Sequence, residues 1–98
     1  MGTLDGLKVL ELGQVVAAPF CGVLLADMGA EVIKVEAPNG DTIRKMGPIK
    51  DGRSLWYLVE NRNKRSVCID LKNDEGKKIL EDLIKYADIM TENFKPGV

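Results

Sequence analysis

The chain has 98 residues, with 14 Lys plus Arg against 15 Asp plus Glu and no His, for a formal net charge of −1. This near-neutral balance lacks the basic surplus of a dedicated nucleic-acid binder, and no apolar run reaches the roughly 18 residues needed to span a bilayer. Without His, the commonest general base and the Ser-His and Cys-His catalytic pairs are missing from this stretch.

The opening "MGTLDGLKVLELG" has no basic leader ahead of a long apolar core, so a cytoplasmic protein is expected. Within it, "KVLEL" at residues 8–12 is β-branched and leucine-rich and predicts a strand. After the turn-like "GQ", the segment "VVAAPFCGVLLADMGA" predicts a helix from near Pro19 to Met28. Pro19 stands in its first turn, where the missing N–H costs nothing, and Gly29 is its stop. "EVIKVE", residues 31–36, alternates apolar and charged positions and predicts a second strand. Strand, helix and strand make a βαβ unit, which crosses over right-handed and builds a parallel sheet.

Residues 37–53, "APNGDTIRKMGPIKDGR", collect Pro, Gly, Asn and Asp and predict a long surface loop. "SLWYLVEN" reads as a short helix, with a strand as the alternative at this length. "SVCIDL", residues 66–71, predicts the third strand, and Asn73 is a suitable N-cap for a helix over residues 74–86. On that helix Ile79, Leu80, Leu83, Ile84 and Ala87 form one apolar stripe, while Lys77, Lys78, Glu81, Asp82 and Lys85 face water. "DIMTEN", residues 88–93, predicts the fourth strand. The end "ENFKPGV" stops just after a Pro-Gly pair, where a new helix ordinarily starts, so a piece of a larger protein is expected. Cys21 and Cys68 lack a C-x-x-C pattern and any His; both are expected to be reduced, buried core residues, with no metal site.

The expected fold class is α/β, a parallel sheet of the doubly wound type with helices on its faces. Ligands bind such sheets at the carboxyl ends of the strands, here residues 13–18, Ala37 onward, Leu71 and Lys72, and residues 93–95. The first turn, "ELGQVVAAP", has Gly13 alone and lacks the G-x-G-x-x-G dinucleotide fingerprint. Glu36 stands where a ribose-binding acid sits in a dinucleotide site; without the glycines it reads as a solvated strand end. Asp70 and Lys72 would share a strand face and form a simple ion pair. Glu11, Asp27 and Asp88 stand out in no pattern. The basic cluster Arg62, Lys64 and Arg65 in "NRNKRSVCIDLK" lies at the amino end of the third strand and reads as a solvated turn, with a phosphate or carboxylate role as the sharper alternative. Lys72 lies at the carboxyl end.

Five ordered motifs carry a resemblance: "LDGLKVLEL" at residues 4–12, "APFCGVLLADMGAEVIKVE" at 18–36, "GD" with Arg44, "NRNKRSVCIDLK" at 61–72, and "ADIMTENFKPGV" at 87–98. On them the chain resembles the N-terminal part of the class III coenzyme A transferases of CaiB/BaiF type, a family that also includes the α-methylacyl-CoA racemases. The resemblance implies a Rossmann-like large domain of which residues 1–98 are the N-terminal segment, and an interlocked homodimer. It implies transfer of coenzyme A from an acyl-CoA to a small carboxylic acid by way of an aspartyl intermediate. The family's nucleophilic aspartate lies beyond position 98, so no catalytic residue is expected here and the chain alone is expected to be inactive. Coenzyme A contacts are implied at Val16 and Ala17, at Ile69, Asp70, Leu71 and Lys72, and at Asn93, Phe94 and Lys95. The resemblance implies Lys95 as the cation placed for a nucleotide phosphate. No metal, nucleic acid or membrane is implied as a partner. Some transferases carry Gln where Val16 stands and Arg where Ala37 stands. The alternatives are a racemase of the same family and a truncated, non-catalytic coenzyme A-binding module. The resemblance also lets Arg62, Lys64 and Arg65 serve as a structural turn that binds carboxylates of a partner chain.

Overall fold

The computed structural model describes residues 2–98. The elements in order are β1 (Lys8–Glu11), α1 (Ala17–Asp27), β2 (Glu31–Glu36), a 3₁₀ turn at Thr42–Lys45, β3 (Ile49–Lys50), β4 (Arg53–Ser54), α2 (Leu55–Glu60), β5 (Lys64–Cys68), α3 (Asp74–Tyr86) and β6 (Ile89–Thr91). β1, β2, β5 and β6 form one parallel sheet in the order β5-β2-β1-β6, while β3 and β4 pair as a small antiparallel hairpin. The winding reverses between β1 and β6, which is where a doubly wound sheet opens its ligand crevice.

Alternation along β1 and β2 sends side chains to both faces, and each face finds a helix. Val9 and Val32 pack with Ala26 of α1 and with Ala30. Leu10, Leu12, Val35 and Ile69 pack with Leu80 and Leu83 of α3 and with Ala87. The expected sheet with helices on both faces is therefore the one observed.

The ends of the helices follow local chemistry. Asn73 Oδ1 accepts the Glu75 N–H at 2.8 Å and caps α3, and Ser54 Oγ accepts the Tyr57 N–H at 3.1 Å and caps α2. Past α1, Gly29 takes φ +107° and the Ala30 N–H reaches back to Leu25 O at 3.1 Å, a left-handed helix stop.

Several expectations shift. α1 begins at Ala17 rather than near Pro19. The third strand spans Lys64–Cys68 rather than residues 66–71, because pairing from Val32↔Lys64 to Glu36↔Cys68 draws the charged Lys64 and Arg65 into the ladder. The long loop contains the 3₁₀ turn and the β3–β4 hairpin. On α3 the packed stripe narrows to the partly buried Leu80 and Leu83, with Ala87 just beyond, while Ile79 and Ile84 are about half exposed. Cys21 and Cys68 are exposed rather than core residues: Cys21 sits on the outer side of α1 and Cys68 ends a strand at the sheet edge. Among the described residues, no helix is long and apolar enough to cross a membrane.

Candidate functional site

The turns that follow β1, β2 and β5 surround a cavity of about 540 Å³ at the carboxyl ends of the strands, with Phe94 after β6 as a further wall. Its floor is apolar, from Leu12, Val35, Ile69, Leu71 and Phe94, and Lys72 stands at its edge. Asp70 and the internally paired carboxylates Glu36 and Asp41 also line it, so the apolar floor suits an apolar or ring portion of a ligand and Lys72 is, among the described residues, the one cation of the lining.

Of the residues nominated from sequence, Ile69, Asp70, Leu71, Lys72 and Phe94 converge on this cavity; Val16, Ala17, Asn93 and Lys95 lie outside its lining. Val16 and Ala17 are exposed at the start of α1. The Asn93 side chain is engaged within the protein: its Oδ1 accepts the Gln14 N–H at 2.8 Å and its Nδ2 donates to Gln14 O at 2.9 Å. It stitches the turn after β1 to the turn after β6. Asp70 does not pair with the Lys72 ammonium. Its Oδ1 accepts the backbone N–H of Lys72 at 3.0 Å, because residues 69–72 have left the strand for a turn. Lys72 and Lys95 are exposed and form no ion pair among the described residues.

On the α1 side of the sheet, reaching the cavity lining at Glu36 and Asp41, lies a buried ionic network. Glu36 is 3% exposed rather than a solvated strand end. Its Oε1 accepts from Arg44 Nε and from the Asp41 N–H, both at 2.7 Å. Its Oε2 accepts from Arg44 Nη2 at 2.7 Å, from Tyr57 Oη at 3.1 Å and from Ser66 Oγ. Burial alone would raise the Glu36 pKa, but the Arg44, Ser66 and Asp41 donors outweigh it and hold the carboxyl at about 2. Burial and the Glu36 charge push the Tyr57 phenol up to about 12, so it remains a donor. The Arg44 guanidinium also lies 3.9 Å from the Tyr57 ring centroid, a cation–π contact.

Next to it, Lys34 Nζ lies 2.8 Å from both Glu11 Oε2 and Asp41 Oδ2, with all three side chains at most 1% exposed. Glu11 also pairs with Lys64, whose Nζ donates to Pro19 O at 2.7 Å and Asn61 Oδ1 at 2.8 Å. Burial lowers the Lys64 pKa against the pull of Glu11. Three buried carboxylates thus meet three cations, Lys34, Lys64 and Arg44. For the basic cluster the solvated-turn reading fails at Lys64, and the carboxylate alternative holds within this chain. Lys64 is a buried ligand of Glu11, Arg62 binds Asp27 at 2.6 Å, and Arg65 binds Glu31, all within this chain. Glu11 and Asp27 likewise acquire definite partners, and Asp88 Oδ2 accepts the Lys8 N–H at 2.9 Å. The available signal was parity: Glu11, Lys34 and Glu36 fall on the same face as Val9 and Val32. In a sheet covered on both sides, charges at those positions must be paired.

Fold and cavity together define a parallel α/β domain with an open cavity at the carboxyl ends of its strands, where sheets of this type take ligands. The chain belongs to CoA-transferase family III, whose model matches residues 4–98. It is 52% identical over 96 residues to succinyl-CoA–D-citramalate CoA-transferase of Chloroflexus aurantiacus, covering 96% of this chain and 24% of that protein. It is 46% identical over 96 residues to the human succinyl-CoA:glutarate CoA-transferase, covering 96% and 22%. Among solved structures, a CaiB/BaiF family protein from Brucella suis matches with a TM-score of 0.92 and 42% identity, over 98% of this chain and 27% of that one. The chain thus spans about a quarter of the length of these relatives.

Proposed function

We propose that this chain is the coenzyme A-binding N-terminal segment of the large domain of a class III CoA-transferase, which moves coenzyme A from an acyl-CoA to a small carboxylic acid. The observation that carries this reading is the convergence of Ile69, Asp70, Leu71, Lys72 and Phe94 on one apolar-floored cavity, in a chain that belongs to the family. The floor takes the adenine or pantetheine portion, and Lys72 and Lys95 offer ammonium groups to the phosphates. Val16, Ala17 and Asn93 belong to the same binding region through the turn after β1. Relatives are named for D-citramalate, glutarate and oxalate as well as for succinyl-CoA and formyl-CoA, so a short dicarboxylic acid is the acceptor we favour.

In the whole protein, an aspartate outside residues 1–98 attacks the thioester, releasing coenzyme A thiolate and leaving a mixed anhydride. The thiolate then attacks the aspartyl carbonyl, giving an enzyme thioester and the free donor acid. The acceptor carboxylate repeats both steps in reverse order. Two such chains interlock as a homodimer in this reading.

Exchange of labelled coenzyme A between succinyl-CoA and a panel of dicarboxylic acids tests the reaction, and hydroxylamine trapping of an acylated aspartate tests its covalent step. No exchange with any acid would overturn it. Calorimetry tests the site: Lys72→Ala and Lys95→Ala should each weaken coenzyme A binding by about tenfold, the scale of one charge-assisted hydrogen bond. Unchanged affinity in both would remove these lysines from the site.

A further inference from the structure

Two consecutive amides in the turn after β1 are taken up by the protein's own side chains. The Gln14 N–H donates to Asn93, and the next amide, that of Val15, donates to Asp41 Oδ1 at 3.1 Å and Oδ2 at 3.3 Å. Val15 has φ +63°, in the left-handed region that a β-branched residue occupies only when its surroundings hold it there.

Asp41 is built to do the holding. Its side chain is 1% exposed, and Oδ2 lies 2.8 Å from Lys34 Nζ. Oδ1 also accepts the Ile43 N–H at 3.1 Å, and the Asp41 N–H is fixed by Glu36 at 2.7 Å. Lys34 is in turn anchored by Glu11, and Glu11 by Lys64. The carboxylate is thus held from several sides at the edge of the cavity, which Asp41 helps to line.

In dinucleotide-binding folds the amides of this strand-to-helix turn serve the ligand's phosphates. Here a carboxylate from the next loop stands in that role. We infer that Asp41 is a positioning residue: by accepting the Val15 amide it keeps the turn left-handed and presets Gly13 and Gln14 as a wall of the cavity before any ligand arrives. The benefit to binding is preorganisation, since the turn need not be ordered by the ligand. For its ligand the inference rests on the coenzyme A reading above; the control of Val15 by Asp41 does not.

The test compares two double variants of the intact protein. Lys34→Met with Asp41→Asn keeps an acceptor for the Val15 amide, and Lys34→Met with Asp41→Leu removes it. Both delete one buried charge of each sign and leave Glu11 paired with Lys64, so folding should survive in each. Should leucine overpack, Asp41→Ala in the same background makes the same comparison. Hydrogen–deuterium exchange over residues 13–20 should match the unaltered protein in the asparagine variant and rise at least about tenfold in the leucine variant, with coenzyme A affinity falling by a similar factor. Unchanged protection in the leucine variant would overturn the inference, as would lost protection with unchanged affinity. If neither the unaltered protein nor any variant binds coenzyme A, the coenzyme A reading falls, and the exchange data still decide whether Asp41 holds the turn.

Discussion

Five hydrogen bonds converge on the carboxylate of Glu36, and they make it an acid-sensitive point. Its folded pKa of about 2 lies below the ordinary 4.5, so its contribution is fully present above pH 4.5 and is lost as pH falls from there toward 2. That drop corresponds to about 3 kcal/mol at neutral pH. Glu36→Gln should therefore flatten the acid limb of stability between pH 4.5 and 2, measured by urea unfolding at stepped pH; an unchanged limb would remove Glu36 as its source. Lys34→Met alone should cost about 3–5 kcal/mol, because it strands Asp41 as an uncompensated buried charge. The double change with Asp41→Asn should recover most of that loss, and a thermal melt series reads both. Little of this network was legible in the sequence. Its members lie as far apart as Glu11 and Lys64, and the pairing depends on which strands are neighbours. The place of Lys72 beside the cavity was legible because it lies in the turn that follows a strand, which needs only local order.

At the scale of the elements, α3 meets the turn after β5 through a glycine. A Cβ at Gly76 would overlap the backbone carbonyl of Asp70 and press on Ile69, and neither backbone nor buried isoleucine can give way cheaply. Gly76→Ala should cost about 1–3 kcal/mol by overpacking, although alanine is the better helix former. It should also weaken coenzyme A binding, since residues 69–72 form a cavity wall; equal stability and affinity in the variant would show that the turn can move freely. The strands themselves were well marked by alternation in "EVIKVE" and by apolar density in "KVLEL". The displacement of β5 toward Lys64 and Arg65 was not marked, because adjacent cations read as a turn until each is given a partner. Lys64 and Arg65 find carboxylates and Ser66 donates to Glu36, so the ladder absorbs them.

For the molecule as a whole, the outer side of α1 carries Val16, Phe20, Leu24 and Met28 at four-residue spacing, each 38–48% exposed. Ile89 and Met90 add exposed apolar surface on β6, at the sheet edge. A line of this kind on a lone small domain promotes self-association. The 98-residue chain prepared by itself should bind a hydrophobic dye and sediment as a concentration-dependent mixture, and Phe20→Glu with Leu24→Glu should shift it toward monomer without lowering its melting temperature. A dye-silent monomer at all concentrations would contradict this.

The strand order also sets a timetable. β1 is a central strand formed near the start of the chain, and its second neighbour pairs Val9 with Ile89, 80 residues later. At roughly 5–20 residues per second, the ribosome takes about 4–16 s to deliver that neighbour. Throughout that interval one edge of β1 has only water, or another nascent chain, to satisfy its amides and carbonyls. That edge is open to misassembly during synthesis, and slowing translation between β2 and β6 should lower the soluble yield.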